Sequence, residues 1–359
     1  MADWIAHRDA LDALLAEAPP LIALDTEFMR VDTFLPRLAL VQIGLGARIG
    51  LVDPTAGVDL TPLAALLGDP RHVCVMHSAS EDLEALATAG CALARLYDTQ
   101  VAAAYAGLGA GLGYQKLVAT LLEVDLPKAE TRSDWLRRPL SAAQLEYAAQ
   151  DVEHLAALHA ELSARIAARG YADWLAEDCA RALERARRRE PDPEPQLALR
   201  GAADWPRERQ ALLRRLLRWR DAAARALDRP RPWLLDDARA LDLAARPPHD
   251  LDDLAERCRG LRALRAAQRA ELLGVVNAPL APDELEFTPI PRAPSPRDKA
   301  AIAALKDEVA ERARALDLPE SLLCSRRHLE TLLATRAWPT ALDGWRRGVL
   351  HDALLARLP

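Results

Sequence analysis

At 359 residues the chain is too long for one ordinary domain; at about 100–200 residues per domain it predicts two or three. Half the residues are hydrophobic and 28% are charged, the balance of a soluble globular protein with material for more than one core. The net charge of −6 argues on its face against nucleic acid, but it averages two unlike halves: residues 1–190 carry 18 Lys/Arg against 27 Asp/Glu, and residues 191–359 carry 29 against 26.

Several classes fall away. Asp3, Asp9 and Asp12 stand where a signal peptide would have a basic and then an apolar region, so none is expected. The longest uncharged stretch, Thr99 to Gln115, is short for a membrane span and contains four glycines. The five cysteines (Cys74, Cys91, Cys179, Cys258 and Cys324) form no CxxC pair and read as reduced thiols in a cytoplasmic protein, without a zinc site. No Gly-rich phosphate loop, Ser/Cys–His constellation or His pair at ligand spacing occurs, so no nucleotide cofactor is expected. The 43 Arg against 4 Lys reads as base composition of a GC-rich genome before chemistry.

In chain order, a helical pattern over Arg8–Ala18 precedes three strand-like runs, Leu21–Leu24, Leu38–Ile43 and Ile49–Val52. A short helix at Leu63–Leu67 and a further strand at His72–Met76 follow. Ser78-Ala-Ser-Glu81 fits a capping box that opens a helix carrying Asp82, with Glu81 as the capping acid. Helical spacing runs from Ser141 to Arg169 and again over Tyr171–Arg189, which completes a mixed sheet with helices packed on it, an α/β domain over residues 1–190. Glu190-Pro-Asp-Pro-Glu-Pro195 cannot continue a helix and marks a linker over 191–206. Beyond it the strand signals vanish: helices beginning with Arg207–Ala226 make a domain over 207–280, a Pro-rich linker covers 281–296, and a last helical block covers 297–359. These two blocks look duplicated, for Ala224-Arg-Ala-Leu-Asp228 recurs 89 residues later as Ala313-Arg-Ala-Leu-Asp317, with Pro230 meeting Pro319 and Leu234 meeting Leu323.

Three segments carry acids in suggestive places. In Leu21-Ile-Ala-Leu-Asp-Thr-Glu27, strand alternation puts Asp25 and Glu27 on one face and Thr26 on the other. Two carboxylates pointing together repel unless a cation lies between them. Asp82 follows a strand and opens a helix, and Tyr147 and Asp151 lie one helical turn apart. Taken alone each has a plainer reading: solvated acids at a strand end, an acid favourable to a helix dipole, a core Tyr beside a surface Asp.

Taken together they resemble the DEDD superfamily of 3′→5′ exonucleases in its tyrosine branch. The flanks Ala23-Leu-Asp-Thr-Glu-Phe28, Pro36-Arg-Leu-Ala-Leu-Val-Gln-Ile43, His77-Ser-Ala-Ser-Glu-Asp-Leu-Glu84, Asp98-Thr-Gln100, Lys128-to-Leu140 and Glu146-Tyr-Ala-Ala-Gln-Asp151 are similar, in order and spacing, to the ribonuclease D family. The C-terminal blocks resemble its HRDC domains. The resemblance implies a ribonuclease H-like α/β exonuclease domain followed by two small all-α HRDC-type domains.

It further implies that Asp25, Glu27, Asp82 and Asp151 hold two divalent ions, Mg²⁺ or Mn²⁺, with Asp25 shared. Ions about 3.5–4 Å apart would clamp the attacking and leaving oxygens at phosphorus. Tyr147 would position the attacking water, since a phenol with a pKa near ~10 is a poor base at neutral pH. Gln42, Lys128, Arg132, Trp135, Arg137 and Arg138 become candidate RNA contacts, Trp135 having core packing as its competing reading. Arg181, Arg185, Arg187, Arg188 and Arg189 could steer RNA or merely end a helix, while Arg214, Arg215, Arg218 and Arg220 give the helical half a cationic face. The expected activity is release of nucleoside 5′-monophosphates from the 3′ ends of structured RNA such as tRNA precursors, by a cytoplasmic monomer. A DNA-directed exonuclease shares the same carboxylates, and a non-catalytic RNA-binding scaffold would be expected to have lost one of them. A fragment ending at Glu190–Pro195 is expected to keep activity on short strands and to bind structured RNA more weakly.

Overall fold

The apolar run that begins at Leu21 extends well past Leu24, because both faces of its strand are covered and backbone pairing continues. The computed structural model describes residues 2–127, 133–188 and 190–359; Lys128, Arg132 and Arg189 lie outside them. Its strands are β1 (Asp3–Ile5), β2 (Leu21–Met29), β3 (Arg37–Leu45), β4 (Arg48–Val52), β5 (Val73–Met76) and β6 (Leu96–Asp98). They form one sheet in the order β1-β4-β3-β2-β5-β6, with β3 antiparallel to both neighbours and every other pair parallel.

Helices α1 (Arg8–Leu15), α2 (Thr61–Leu67), α3 (Ser80–Thr88), α4 (Thr99–Tyr105), α5 (Tyr114–Leu122), α6 (Ala142–Glu153), α7 (Leu155–Arg169) and α8 (Ala172–Arg187) cover the sheet. Strand alternation sorts the packing. Ile22 and Leu24 share a core with Leu83 and Leu86 of α3, whereas Ala23 meets Val152 of α6 and Leu155 of α7. The mixed sheet flanked by helices is the architecture the sequence implied; β1, β6, α4 and α5 went unpredicted, being short or lying in the Ala/Gly-rich stretch.

Two local expectations are corrected. The helix with Asp82 has no capping box: it starts at Ser80, and its N-cap residue Ala79 has no side chain to cap with. The Asp98 carboxylate accepts instead from the Ser78 and Ala79 amides, both at 3.0 Å, and so holds Ser78 at its positive φ of 59°. The long helix from Ser141 is broken at His154 into α6 and α7. A capping box does occur at Ser141, where its hydroxyl and the Gln144 side chain satisfy each other's backbone.

The chain divides into two compact units, one comprising 1–29, 36–188 and 296–359, the other 30–35 and 189–295. The second unit holds α9 (Arg207–Leu227), α10 (Arg231–Leu234), α11 (Asp237–Ala245), α12 (Leu251–Arg257) and α13 (Ala266–Asn277) around Leu213, Leu216, Leu243 and Leu272. The segment 30–35 belongs to it: the Phe34 amide donates to Asp228 at 2.9 Å, and Arg225 and Arg231 lie 4.8 and 4.5 Å from the Phe34 ring centre.

The last block comprises α14 (Pro296–Leu316), α15 (Glu320–Leu323), α16 (Arg326–Thr335) and α17 (Trp345–Ala356). Its first three helices start 89 residues after α9, α10 and α11, and Asp228 and Asp317 both close the long helix with positive φ, 46° and 51°. As a freestanding body, however, the block needs correction. Its buried Leu305, Leu329 and Leu350 belong to the same apolar core as the sheet. Trp345 stacks on Trp174 of α8 at 4.3 Å, and Asp178 of α8 accepts from Arg346 at 2.5 and 2.8 Å, from the Trp345 indole at 3.3 Å and from the Tyr105 hydroxyl at 2.7 Å.

Candidate active site

Strand β2 outruns its parallel neighbour. Pairing with β5 spans Leu21 to Ala23, while pairing with β3 continues to Met29. Beyond Ala23 one edge of β2 is therefore open, and Asp25 and Glu27 stand on that stretch, at the carboxyl end where open α/β sheets place ligands. The antiparallel register shifts between Glu27 and Phe28, a bulge that ends regular alternation just after the second acid.

Asp82 comes from α3, which packs on the face opposite Asp25. Thr26 makes the link: pointing away from the two acids, its hydroxyl donates to Asp82 Oδ1 at 2.5 Å. Asp151 and Tyr147 come from α6 on the other face. Gly44 lets that helical layer approach, for a Cβ there would lie 2.9 Å from Ala23 Cβ and 3.6 Å from the Val152 carbonyl. The Tyr114 hydroxyl donates to the Gln150 carbonyl at 2.9 Å and accepts from the His154 amide at 3.4 Å, so it fixes the turn that follows Asp151.

The structure thus brings the four acids and Tyr147 to one place, and their electrostatics show it. Burial, then Asp82, Asp151 and Glu27 in turn, push Asp25 well above the ordinary carboxylate range. Burial and the charges of Asp151 and Asp82 raise Glu27 to about 8. Asp151 rises to about 7 and Asp82 to about 6, mainly through burial, with hydrogen bonds from Tyr147 and Thr26 respectively opposing the shift. Burial and the nearby Asp151 and Glu27 also raise Tyr147, which keeps its phenol neutral. The donors are all oxygen, which suits Mg²⁺ or Mn²⁺. Asp151 Oδ2 is buried without a hydrogen-bond partner, as a ligand oxygen awaiting a cation would be. Among the described residues no three side chains already close into an ion cage, in keeping with carboxylates that repel until cations lie between them.

The suggested RNA contacts fare differently. Gln42 pairs across the strands with Asp25 but is fully buried, both amide atoms lacking partners, so it offers no surface to RNA. Trp135 is 3% exposed and packs 6.0 Å from the Tyr147 ring, which makes it a core residue that seats the tyrosine. Arg138 is consumed by Asp53, at 2.6 and 2.8 Å, and by the Ala39 carbonyl at 2.7 Å. Arg137 remains exposed; Lys128 and Arg132 lie outside the described residues. Of the basic residues ending α8, Arg181 bonds Glu177 and the Ala341 carbonyl, and Arg187 bonds the Leu93 carbonyl. Thr26 and Tyr114 were missed in the sequence: Thr26 reads as merely facing away, and nothing local marks Tyr114.

Known proteins agree with this arrangement. A 3′-5′ exonuclease family model matches residues 3–167, and an HRDC domain model matches residues 209–276. Ribonuclease D of Xanthomonas oryzae pv. oryzae is 46% identical, covering 100% of this chain and 99% of its own length. The chain belongs to the ribonuclease D family. Ribonuclease D of Pseudomonas paraeruginosa is 39% identical, with 99% and 97% covered. The crystal structure of Escherichia coli RNase D, an exoribonuclease involved in structured RNA processing, matches with a TM-score of 0.85 at 29% identity over 99% of this chain and 98% of that one. As a ribonuclease D, the protein is a 3′→5′ exoribonuclease with an α/β exonuclease domain followed by an HRDC domain.

Proposed function

We propose that this exoribonuclease trims the 3′ extensions of structured RNAs such as tRNA precursors, releasing nucleoside 5′-monophosphates, with two divalent ions held by Asp25, Glu27, Asp82 and Asp151. The observation that carries the metal assignment is the mutual repulsion of four oxygen-only acids, one of which keeps a buried unpartnered oxygen. When bound, the ions would activate water and stabilise the departing 3′-oxygen. Asp25 would be shared between them, as the acid on which the other three act. Tyr147, neutral and seated against Trp135, orients the attacking water rather than deprotonating it. Thr26 holds Asp82 toward the open edge of β2.

The substrate reading rests on the ribonuclease D relatives and on the E. coli enzyme's role in structured RNA processing. We also read residues 296–359 as a second HRDC-like domain, on the repeated helix starts, and the protein as a cytoplasmic monomer, consistent with five free, buried cysteines. No described helix is long and apolar enough to cross a membrane. The test is direct. With Mg²⁺ or Mn²⁺ the protein shortens a 3′-extended tRNA stepwise, and EDTA or Asp25→Asn abolishes this; full activity in Asp25→Asn overturns the metal assignment. Single-stranded DNA run in parallel measures the preference for RNA.

A further inference from the structure

The arginines of the second unit are mostly spent on its own fold. Arg214 pairs with Glu194 at 3.3 Å, Arg220 with Asp237 at 2.6 Å, Arg215 with Glu284, and Arg225 with Asp221 at 2.7 Å. The cationic face expected on α9 is thus largely neutralised from within, and only Arg218 of the four arginines expected there is exposed without a described partner. The uncommitted charge gathers elsewhere. A cavity of about 390 Å³, within the range of small-ligand sites, is lined by Asp32, Arg229, Trp233, Arg262, Arg265 and Gln268. All six belong to the second unit.

Arg262 and Arg265 are exposed, and among the described residues neither has a carboxylate partner. Arg262 lies 5.0 Å from the Trp233 ring centre, which fixes its guanidinium over an aromatic face without neutralising it. Arg229 donates to the Asp32 carbonyl at 2.8 Å, with the Asp32 carboxylate looser at 3.8 Å. Three guanidiniums against one acid leave the cavity cationic. Planar donors beside an aromatic ring suit a phosphodiester with its neighbouring nucleoside.

We propose that this cavity, walled by the segment following the metal-site strand and by the HRDC helices, binds a phosphate of the RNA substrate away from the bond being cut. This rests on the reading of structured RNA as substrate. The experiment measures fluorescence anisotropy of a labelled 3′-extended tRNA with the full-length protein in EDTA, over a range of salt. Arg262→Gln/Arg265→Gln raises Kd about tenfold or more, and lowers the slope of log Kd against log salt by about two, one for each lost phosphate contact. Arg262→Lys/Arg265→Lys retains most of the affinity, and Arg218→Gln stays within about twofold of the parent, which ties the effect to this cavity. Gln268→Glu, which adds negative charge without removing an arginine, weakens binding as well. With Mg²⁺ all four variants hydrolyse a short RNA oligonucleotide at the parent rate. An unchanged Kd and salt slope in the double Gln variant and in Gln268→Glu overturn the cavity assignment. A parent protein that cuts the oligonucleotide but neither binds nor trims the tRNA overturns the substrate reading instead.

Discussion

Four acids in one cleft make the site unstable when bare. Asp82, Asp151 and Glu27 sit at about 6, 7 and 8, and Asp25 well above its ordinary value, so each holds its proton more tightly folded than unfolded. Their contribution to stability is whole below the unfolded carboxylate values and is lost as pH rises through the folded ones. The metal-free protein should therefore melt lower at about pH 8.5 than at about pH 5, and Mg²⁺ should raise the melting temperature more at the higher pH, where binding displaces fewer protons. Differential scanning fluorimetry with EDTA or Mg²⁺ reads both. A Mg²⁺ shift no larger at high pH than at low pH would show that these carboxyls are not the ligands. Residue-level reasoning from sequence found the acids because strand alternation and helical spacing fix which side chains share a face. It misplaced Gln42, Trp135 and Arg138, since a polar or aromatic residue near a site looks the same whether it faces the groove or the layer behind it.

At the scale of elements, the acids arrive on a strand and on helices from opposite faces of a sheet, and something must tie them together. Thr26 ties β2 to α3. Thr26→Val keeps the shape but leaves Asp82 without its donor, and a hydrogen bond to a charged group is worth about 1.5–3 kcal/mol. Activity should fall roughly tenfold or more while Thr26→Ser retains most of it, and the Mg²⁺ concentration for half-maximal rate should rise. A Val variant with unchanged metal dependence would reduce Thr26 to a packing residue. Asp98 does comparable work for the turn before α3, and Tyr114 for the break after α6. The sequence showed the helical periodicity across that break but not the break itself, because a hydroxyl from residue 114 is invisible to any local window.

For the molecule as a whole, the Pro-rich segments suggested separable domains, yet residues 296–359 pack into the core of the sheet-bearing unit. A fragment ending near Pro195 loses the partners of Trp174 and Asp178. The expectation that it would work independently is accordingly replaced: it should melt well below the full chain and aggregate, whereas Asp178→Ala in the full chain, by stranding the mostly buried Arg346, costs about 3–5 kcal/mol. Thermal and urea unfolding check both, and a fragment as stable as the parent would restore the independent-domain picture. Net charge changed meaning too. The excess of arginine in residues 191–359 looked like one surface for RNA, but most of it is paired inside the fold and the remainder collects at a single cavity. The amino-acid sequence alone determined the nuclease chemistry, the strands and helices that carry it, and the helical repeat, because these are written in short-range spacing. Tertiary structure decided which arginines stay free, which aromatic rings are core and which helices share a core, because pairing and burial depend on residues far apart in the chain.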